Sequence, residues 1–156
     1  GIKELYKNPK DILKSVQATL DENISLQKQI EEINRERAKA LASEWKDKTK
    51  EINGVRFLAE RIDADAALVK DLAFAMKNSV ENLFLVIGSA WEGKAFLTVM
   101  ISENLVKEKE LNASKIIREL SKEIQGGGGG QDFYATAGGK NIDGISTALA
   151  MAEKMI

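Results

Sequence analysis

Residues 126–139 read GGGGGQDFYATAGG, five consecutive glycines followed by a short aromatic stretch and a second pair of glycines. The five glycines carry no side chains, so they offer backbone N–H groups and access to positive φ. Such a run is either a flexible linker or a backbone cradle for an anion such as phosphate. Only residues 131–156 follow it, too few to bury a core of their own, so we expect them to pack on what precedes them. This position favours the cradle over the linker.

The segment after the glycine run has the pattern of one compact unit. Residues 133–137 are small or aromatic and predict a short strand, and Gly138-Gly139 predicts a turn into a closing helix. The helix is indicated by apolar residues at helical spacing, which are Ile142, Ile145, Leu149, Ala152 and Met155. We therefore expect a glycine-rich loop, a strand, a turn and a helix in that order.

The composition excludes several kinds of site. The 156 residues contain no Cys and no His, which removes disulfides, thiolate catalysis, zinc–sulfur sites and the commonest general base. The carboxylates are scattered, so no metal-binding set is predicted. The net charge is −1, so any site for a polyanion must be local. No run of eighteen apolar residues and no signal-peptide pattern is present, and the cytoplasm is the default expectation.

The first third of the chain predicts one long helix. Asn8-Pro9 suits a helix start, and neither Gly nor Pro recurs before Asn53. A helix to about Ile52 would extend about 65 Å, which suits a stalk or a coiled-coil strand. A heptad register runs through Ile12, Val16, Thr19, Asn23, Leu26, Ile30, Ile33, Arg37, Ala40 and Glu44. Its polar positions weaken the seam, which leaves a homodimer and an antiparallel or intramolecular partner outside these residues as open alternatives.

The remaining residues predict a small domain with a mixed sheet. Asn53-Gly54 breaks the helix and suggests a boundary between residues 1–53 and residues 54–156. The predicted elements are a strand at 55–62, a helix from Asp63 or Asp65 to about 78, a hairpin of strands 83–87 and 95–101 with Trp91 at its tip, and a helix from Asn112 or Ser114 to Gln125. The fold class is therefore α+β: a long N-terminal coiled-coil helix followed by a small mixed-sheet domain with packed helices.

The helix before the glycine run offers basic side chains. Lys115, Arg118 and Lys122 lie on its predicted exposed face, where Glu119 and Glu123 offset them. Mixed charge of this kind usually serves solubility, and contact with a phosphate backbone is the alternative interpretation.

The stretch GGGGGQDFYATAGG resembles the glycine-rich motif that ends bacterial alanyl-tRNA synthetases, in their C-terminal DHHA1-type (C-Ala) domain. In that family a basic residue commonly follows the glycines, and Ala-x-Ala-Gly-Gly comes a few positions later. Gln131 stands here at the basic position, which should weaken phosphate binding. The histidine of the related DHH-family phosphoesterases is absent as well, which favours the synthetase branch.

The resemblance implies a non-catalytic module that binds the outer corner of tRNA, aids aminoacylation and editing, and contributes to dimerisation. The implied partners are tRNA(Ala), the catalytic and editing domains of the parent chain and a second copy through the helix, with no membrane. No cofactor is implied for this chain, and the parent enzyme would use ATP, Mg and zinc in other domains. The residues that we expect to touch nucleic acid are Gly126, Gly127, Gly128, Gly129, Gly130, Gln131, Gly138, Gly139, Lys140, Lys115, Arg118 and Lys122.

Two other functions remain open on the sequence. One is the substrate-binding half of a DHH-type phosphoesterase, which would need an Asp-His-His catalytic domain elsewhere. The other is a purely structural coiled-coil dimerisation module, in which the glycines only solve a packing problem.

Overall fold

A computed structural model describes residues 9–156, with side chains from Val16 onward, so the predicted N-cap Asn8 and the side chain of Ile12 lie outside the described residues. The helices and strands, in chain order, are α1 (Pro9–Lys46), β1 (Lys50–Ile52), β2 (Val55–Arg61), α2 (Ala66–Ser79), β3 (Leu83–Trp91), β4 (Lys94–Ile101), α3 (Glu103–Glu108), α4 (Ala113–Leu120), β5 (Gly126–Gly130), β6 (Tyr134–Gly139), a 3₁₀ turn (Ile142–Gly144) and α5 (Ile145–Glu153).

The strands form one mixed sheet in the order β1-β2-β3-β4-β6-β5. Strands β2 and β3 are parallel, and α2 makes the crossover that a parallel pair requires. The other four pairs are antiparallel. This arrangement confirms the predicted α+β class.

Helices cover the sheet on both faces. On the first face, α3, α4 and α5 pack over apolar residues of β2, β3, β4 and β6, including Phe84, Leu97 and Ala135. On the second face, α2 and the end of α1 cover β2 and β3, where Leu85 and Ile87 are fully buried. Because side chains alternate along a strand, the apolar runs in β3 and β4 supply both cores.

The long helix α1 is shorter than predicted, and its core-facing residues are different. It ends at Lys46, and residues 50–52 form strand β1, joined to β2 by a tight turn in which Asn53 and Gly54 have φ of 52° and 80°. Such a turn suits a two-residue hairpin, so Asn53-Gly54 is not a helix C-cap.

The described chain divides into two compact units, one that ends at Asn34 and one that spans residues 35–156. Within the second unit, the part of α1 from Arg35 onward buries Ala38, Ala42 and Trp45, and not the predicted heptad positions 37, 40 and 44. In the first unit, large apolar side chains of α1 are exposed, namely Val16, Leu20, Ile24, Leu26, Ile30 and Ile33.

Most of the other predicted elements are confirmed, with two changes near the glycine run. Asp65 caps α2, accepting a hydrogen bond from Leu68 N–H at 2.9 Å, and Trp91 lies beside the β3–β4 turn. A short helix, α3, lies between β4 and α4, where the sequence predicted no helix. Helix α4 ends at Leu120, five residues before the predicted end, and a turn over residues 121–125 leads to Gly126.

Candidate functional site

The five glycines form an edge strand, which corrects the predicted loop. Strand β5 pairs antiparallel with β6 from Gly126 opposite Gly139 to Gly130 opposite Ala135. The outer side of β5 is one end of the six-stranded sheet. We call this outer side the glycine edge. Apart from the half-buried Gly129, all its residues are exposed.

Close approach of the two backbones explains why three of the five residues are glycine. A methyl group on Gly126, Gly128 or Gly130 would lie 1.9, 2.1 or 2.5 Å from a carbonyl oxygen of β6. Gly127 differs, because a methyl group there would meet no atom within 4 Å. Packing therefore requires glycine at alternate positions of β5, whereas the space around Gly127 would accommodate a side chain.

The hydrogen-bond pattern directs part of the glycine backbone outward. Gln131 N–H donates to Tyr134 carbonyl at 2.7 Å and closes the β5–β6 hairpin. Because bonded pairs alternate along an antiparallel ladder, Gly127 and Gly129 bond to β6, and Gly128 and Gly130 point their N–H and C=O groups to the outer edge. The glycine edge therefore presents backbone donors and acceptors with no side chain in front of them.

The second glycine pair belongs to β6, and it is not the predicted turn. Gly138 lies opposite Phe96, and Gly139 lies opposite Ala95 of β4. A methyl group on Gly139 would lie 2.2 Å from Ile124 carbonyl oxygen, so this glycine lets the turn after α4 pass close to β6. Asn141 N–H then donates to the same carbonyl at 2.9 Å. The closing helix α5 begins after a 3₁₀ turn, at Ile145.

Most of the predicted binding residues lie in or near the two strands at the β5 edge of the sheet. Helix α4, which carries Lys115 and Arg118 on its exposed face, packs along β5. Lys122 lies in the turn after α4, where its Nζ is 3.3 Å from a Glu119 carboxylate oxygen, so its charge is partly offset. Lys140 directly follows β6, and Gln131 follows β5 with an exposed side chain.

A groove on the second face of the sheet was not predicted. It has a volume of about 430 Å³ and lies beside the start of α2, where the helix leaves β4, β6 and β5 partly uncovered. Its lining comprises Ala64, Ala66, Val69, Lys70, Ser89, Phe96, Leu97, Thr98, Gly127, Tyr134, Thr136, Ala137 and Gly138. We call this feature the groove. The sequence hint was the pair of threonines, Thr98 and Thr136, which lie opposite each other in otherwise apolar strands.

One wall of the groove is formed by Tyr134, whose ring is held by an aromatic contact. The Tyr134 ring packs on Phe74 of α2 with centroids 5.2 Å apart. Burial raises the pKa of the Tyr134 phenol above its ordinary value, so the hydroxyl stays protonated at neutral pH and can donate a hydrogen bond.

Neither a metal site nor a membrane span is found in the part of the chain that the structure describes. Among those residues no three carboxylates come together as a set that could hold a metal ion. No helix within residues 9–156 is long and apolar enough to cross a membrane.

Known proteins are similar to this chain in sequence and in fold. The chain is 50% identical over 155 residues to an alanine–tRNA ligase of Christiangramia forsetii and 46% identical over 156 residues to that of Cytophaga hutchinsonii, in each case over 99% of the chain. It spans only 18% of the length of these relatives.

The fold is similar to a crystal structure of the C-Ala domain from Aquifex aeolicus alanyl-tRNA synthetase. The TM-score is 0.62 at 21% sequence identity, covering 68% of this chain and 95% of that one. The DHHA1 domain family matches residues 54–156, which contain the glycine edge, the groove and all six strands except β1. This chain belongs to the DHHA1 domain family.

Proposed function

We propose that this chain is the non-catalytic, tRNA-binding C-terminal module of an alanyl-tRNA synthetase. The support is the 50% identity to an alanine–tRNA ligase over nearly the whole chain. That similarity favours the ligase over the DHH-type phosphoesterase. The module would bind the outer corner of tRNA(Ala) in the cytoplasm and help the catalytic and editing domains of the parent chain act on it. ATP, Mg and zinc would belong to those other domains.

The observation that carries the binding proposal is the glycine edge. Its outward N–H groups at Gly128 and Gly130 can donate to phosphate oxygens, because no side chain keeps a nucleic-acid backbone at a distance. Lys115 and Arg118 lie on the helix packed beside this strand and supply positive charge. Donors and charges of this kind recognise the shape and the sugar–phosphate backbone of RNA and make few contacts with base edges.

The charge of the chain limits how tightly it should bind alone. With a net charge of −1, the local cations at the glycine edge are offset by acids elsewhere. We expect weak affinity of the isolated chain for tRNA and a shallow dependence on salt. The parent domains would add the remaining contacts.

A titration with tRNA and with a DNA duplex of equal length, at two salt concentrations, tests the proposal. We expect a preference for tRNA that is lost in a Lys115→Ala/Arg118→Ala variant, with the salt slope falling by about 0.7–0.9 for each contact removed. The matched control is Lys48→Ala/Lys50→Ala, which removes the same charge near the opposite edge strand, β1. Equal loss in both variants, or no preference for tRNA, would contradict the proposal.

A second candidate function, self-association through α1, is favoured by the exposed apolar side chains of the first unit. Ile30 and Ile33, at 58% and 61% exposure, are adjacent positions of the predicted heptad seam. If a second copy covers this seam, Ile30→Glu/Ile33→Glu should convert a dimer to a monomer in sedimentation experiments. A monomeric wild-type chain at the same concentrations would exclude a homodimer through the helix.

A further inference from the structure

We infer that the groove binds a single unpaired nucleotide of the RNA, with the base on the floor of the groove and the flanking phosphates near lysines at its rim. This inference rests on the proposed RNA-binding function and names the part of the RNA that this surface takes. Three features carry it: a flat floor, hydroxyl groups without partners, and a rim of unpaired lysines beside an exposed tryptophan.

The floor of the groove is flat beside an aromatic ring. Phe96 lies opposite Gly138 on neighbouring strands, and Gly127 lies opposite Gly138 on the other side. A methyl group on Gly138 would lie 3.5 Å from the Phe96 ring, and one on Gly127 would meet nothing within 4 Å. The space above these glycines therefore admits a planar group next to Phe96. Stacking of this kind suits a nucleobase, because every base has a π-face.

Hydroxyl groups line the same space without being used by the fold. The side chains of Thr98, Tyr134 and Thr136 line the groove, and within residues 16–156 their hydroxyls make no hydrogen bond. Thr98 is 5% exposed, and it lies in the wall of a largely apolar cleft. A few polar groups in an apolar cleft of about 300–1,000 Å³ are typical of sites that orient a small ring with several hydrogen-bonding atoms.

Three lysines lie in the lining of the groove or close to it in the strands, and the acid Asp65, between Ala64 and Ala66, is engaged as the cap of α2. Lys70 of α2 lines the groove, Lys94 is the first residue of β4, and Lys140 directly follows β6. Ala95 lies opposite Gly139, so Lys94 and Lys140 are the next residues of the chain at the same end of the β4–β6 pair. No carboxylate in the described part of the chain forms an ion pair with any of these three. Unpaired ammonium groups near the groove complement the phosphates on either side of a bound base.

Trp91 extends this surface. It lies opposite Lys94, and within residues 35–156 it is the one large apolar side chain that is exposed, at 43%. Two acids are close to Trp91. Glu92 follows it in the turn, and Asp63 is paired, with Arg61 Nε 3.0 Å from its carboxylate oxygen, so Asp63 opposes an incoming phosphate weakly. An exposed tryptophan beside lysines is a stacking platform for a second base.

The groove and the glycine edge meet at Gly127. This residue belongs to β5 and also lines the groove. An RNA strand whose phosphates lie along the glycine edge can therefore place one unstacked base into the groove. A fully paired RNA helix has no such base to offer.

The test uses a five-nucleotide single-stranded RNA and a blunt RNA duplex, each carrying a fluorescent label. The anisotropy of the label gives the affinity, and tryptophan fluorescence reports contact with Trp91. We expect the single strand to bind more tightly than the duplex and to quench Trp91, because Trp45 is buried and should not respond. Trp91→Ala should lower affinity for the single strand about 5- to 100-fold. Thr98→Leu and Thr136→Leu, which fill the groove from β4 and β6, should each lower it at least about tenfold.

The matched control is Thr147→Leu, an equally large change on the exposed surface of α5. Two filling variants are used so that misfolding of one, seen by circular dichroism, leaves the other as the test. Equal binding of the single strand by wild type and a folded filling variant would overturn the inference. If those variants keep tRNA binding while the single strand never binds, the groove inference fails and the proposed function stands. If wild type binds the single strand through the groove but not tRNA, the proposed function fails and the groove inference stands.

Discussion

A methyl group on Gly128 would lie 2.1 Å from the carbonyl oxygen of Thr136, whereas a methyl group on the adjacent Gly127 would meet no atom within 4 Å. The two glycines look identical in the sequence and have opposite environments in the sheet. Gly128 is required by the packing of β5 on β6, and Gly127 borders the groove. This difference also decides which glycine can probe binding, because replacement of Gly128 disturbs the strand itself.

Gly128→Ala should destabilise the fold, and Gly127→Ala should not. The Gly128 methyl group forces β5 away from β6, an overpacking that costs about 1–3 kcal/mol or more of unfolding free energy. At Gly127 the loss of unfolded-state entropy should leave stability unchanged or raise it by about 0.4–1 kcal/mol. Urea unfolding of the two variants measures the difference. Equal stability of the two variants would show that β5 does not approach β6 this closely.

Ser102→Ala should destabilise the junction between β4 and α3. The Ser102 hydroxyl accepts a hydrogen bond from Leu83 N–H at 2.8 Å, and both residues are buried. Removing the hydroxyl leaves a buried N–H group without its partner, which costs about 1–3 kcal/mol of unfolding free energy. Denaturant unfolding gives the value, with the exposed Ser146→Ala as the control. A loss as small as that of the control would mean that water replaces the hydroxyl.

Asp63 should contribute stability at neutral pH that is lost in acid. Hydrogen bonds from the Arg61 guanidinium and from Ala90 N–H lower the pKa of Asp63 from its ordinary value of 3.8. A carboxyl group whose pKa is lower in the folded state stabilises the fold above the unfolded value, and this contribution disappears as pH falls from 3.8 through the folded pKa. The stability difference between wild type and Asp63→Asn should therefore shrink below pH 4.

Nuclear magnetic resonance titration of the Asp63 carboxyl gives the direct check on this shift. Arg61→Gln should raise the pKa of Asp63 toward its ordinary value, because it removes the largest cause of the shift. If the titration midpoint of Asp63 stays the same in this variant, Arg61 does not set the pKa.

Gln131→Lys should strengthen tRNA binding by restoring the basic residue common in related motifs. Gln131 directly follows β5, and its side chain is exposed, so the fold should tolerate lysine. One added phosphate contact should steepen the salt dependence by about 0.7–0.9. The control is Ser146→Lys, which adds the same charge on α5. A similar gain in both variants would indicate a general charge effect and no contact at residue 131.

The sequence predicted the elements whose pattern is local. The α+β class, the helix cap at Asp65, the hairpin turn beside Trp91 and the exposed face of α4 with Lys115 and Arg118 all follow from periodicity, capping and turn patterns, which depend on neighbours a few residues away. The motif in residues 126–139 likewise identified the family, now shown by the match over residues 54–156.

The predictions from the sequence were wrong where contacts with residues far along the chain decide the structure. The glycine run was predicted as a loop because glycine has low strand propensity and no side chain to show a pattern. It forms a strand because β6 supplies a complete ladder of hydrogen bonds and because only glycine fits against that backbone at alternate positions. The end of α1 was misplaced for a related reason, since residues 50–52 pair with β2 once Asn53-Gly54 makes its turn.

The amino-acid sequence by itself determined the chemistry that this protein can offer: no thiol, no imidazole, scattered carboxylates, a side-chain-free run and a few lysines. The tertiary structure alone decided where those groups lie. It placed the glycines at a sheet edge, brought Ala95 opposite Gly139, and left a groove beside the start of α2, where the helix covers only part of β4, β6 and β5. These are pairings between residues far apart in the chain, and strand register, not local propensity, sets them.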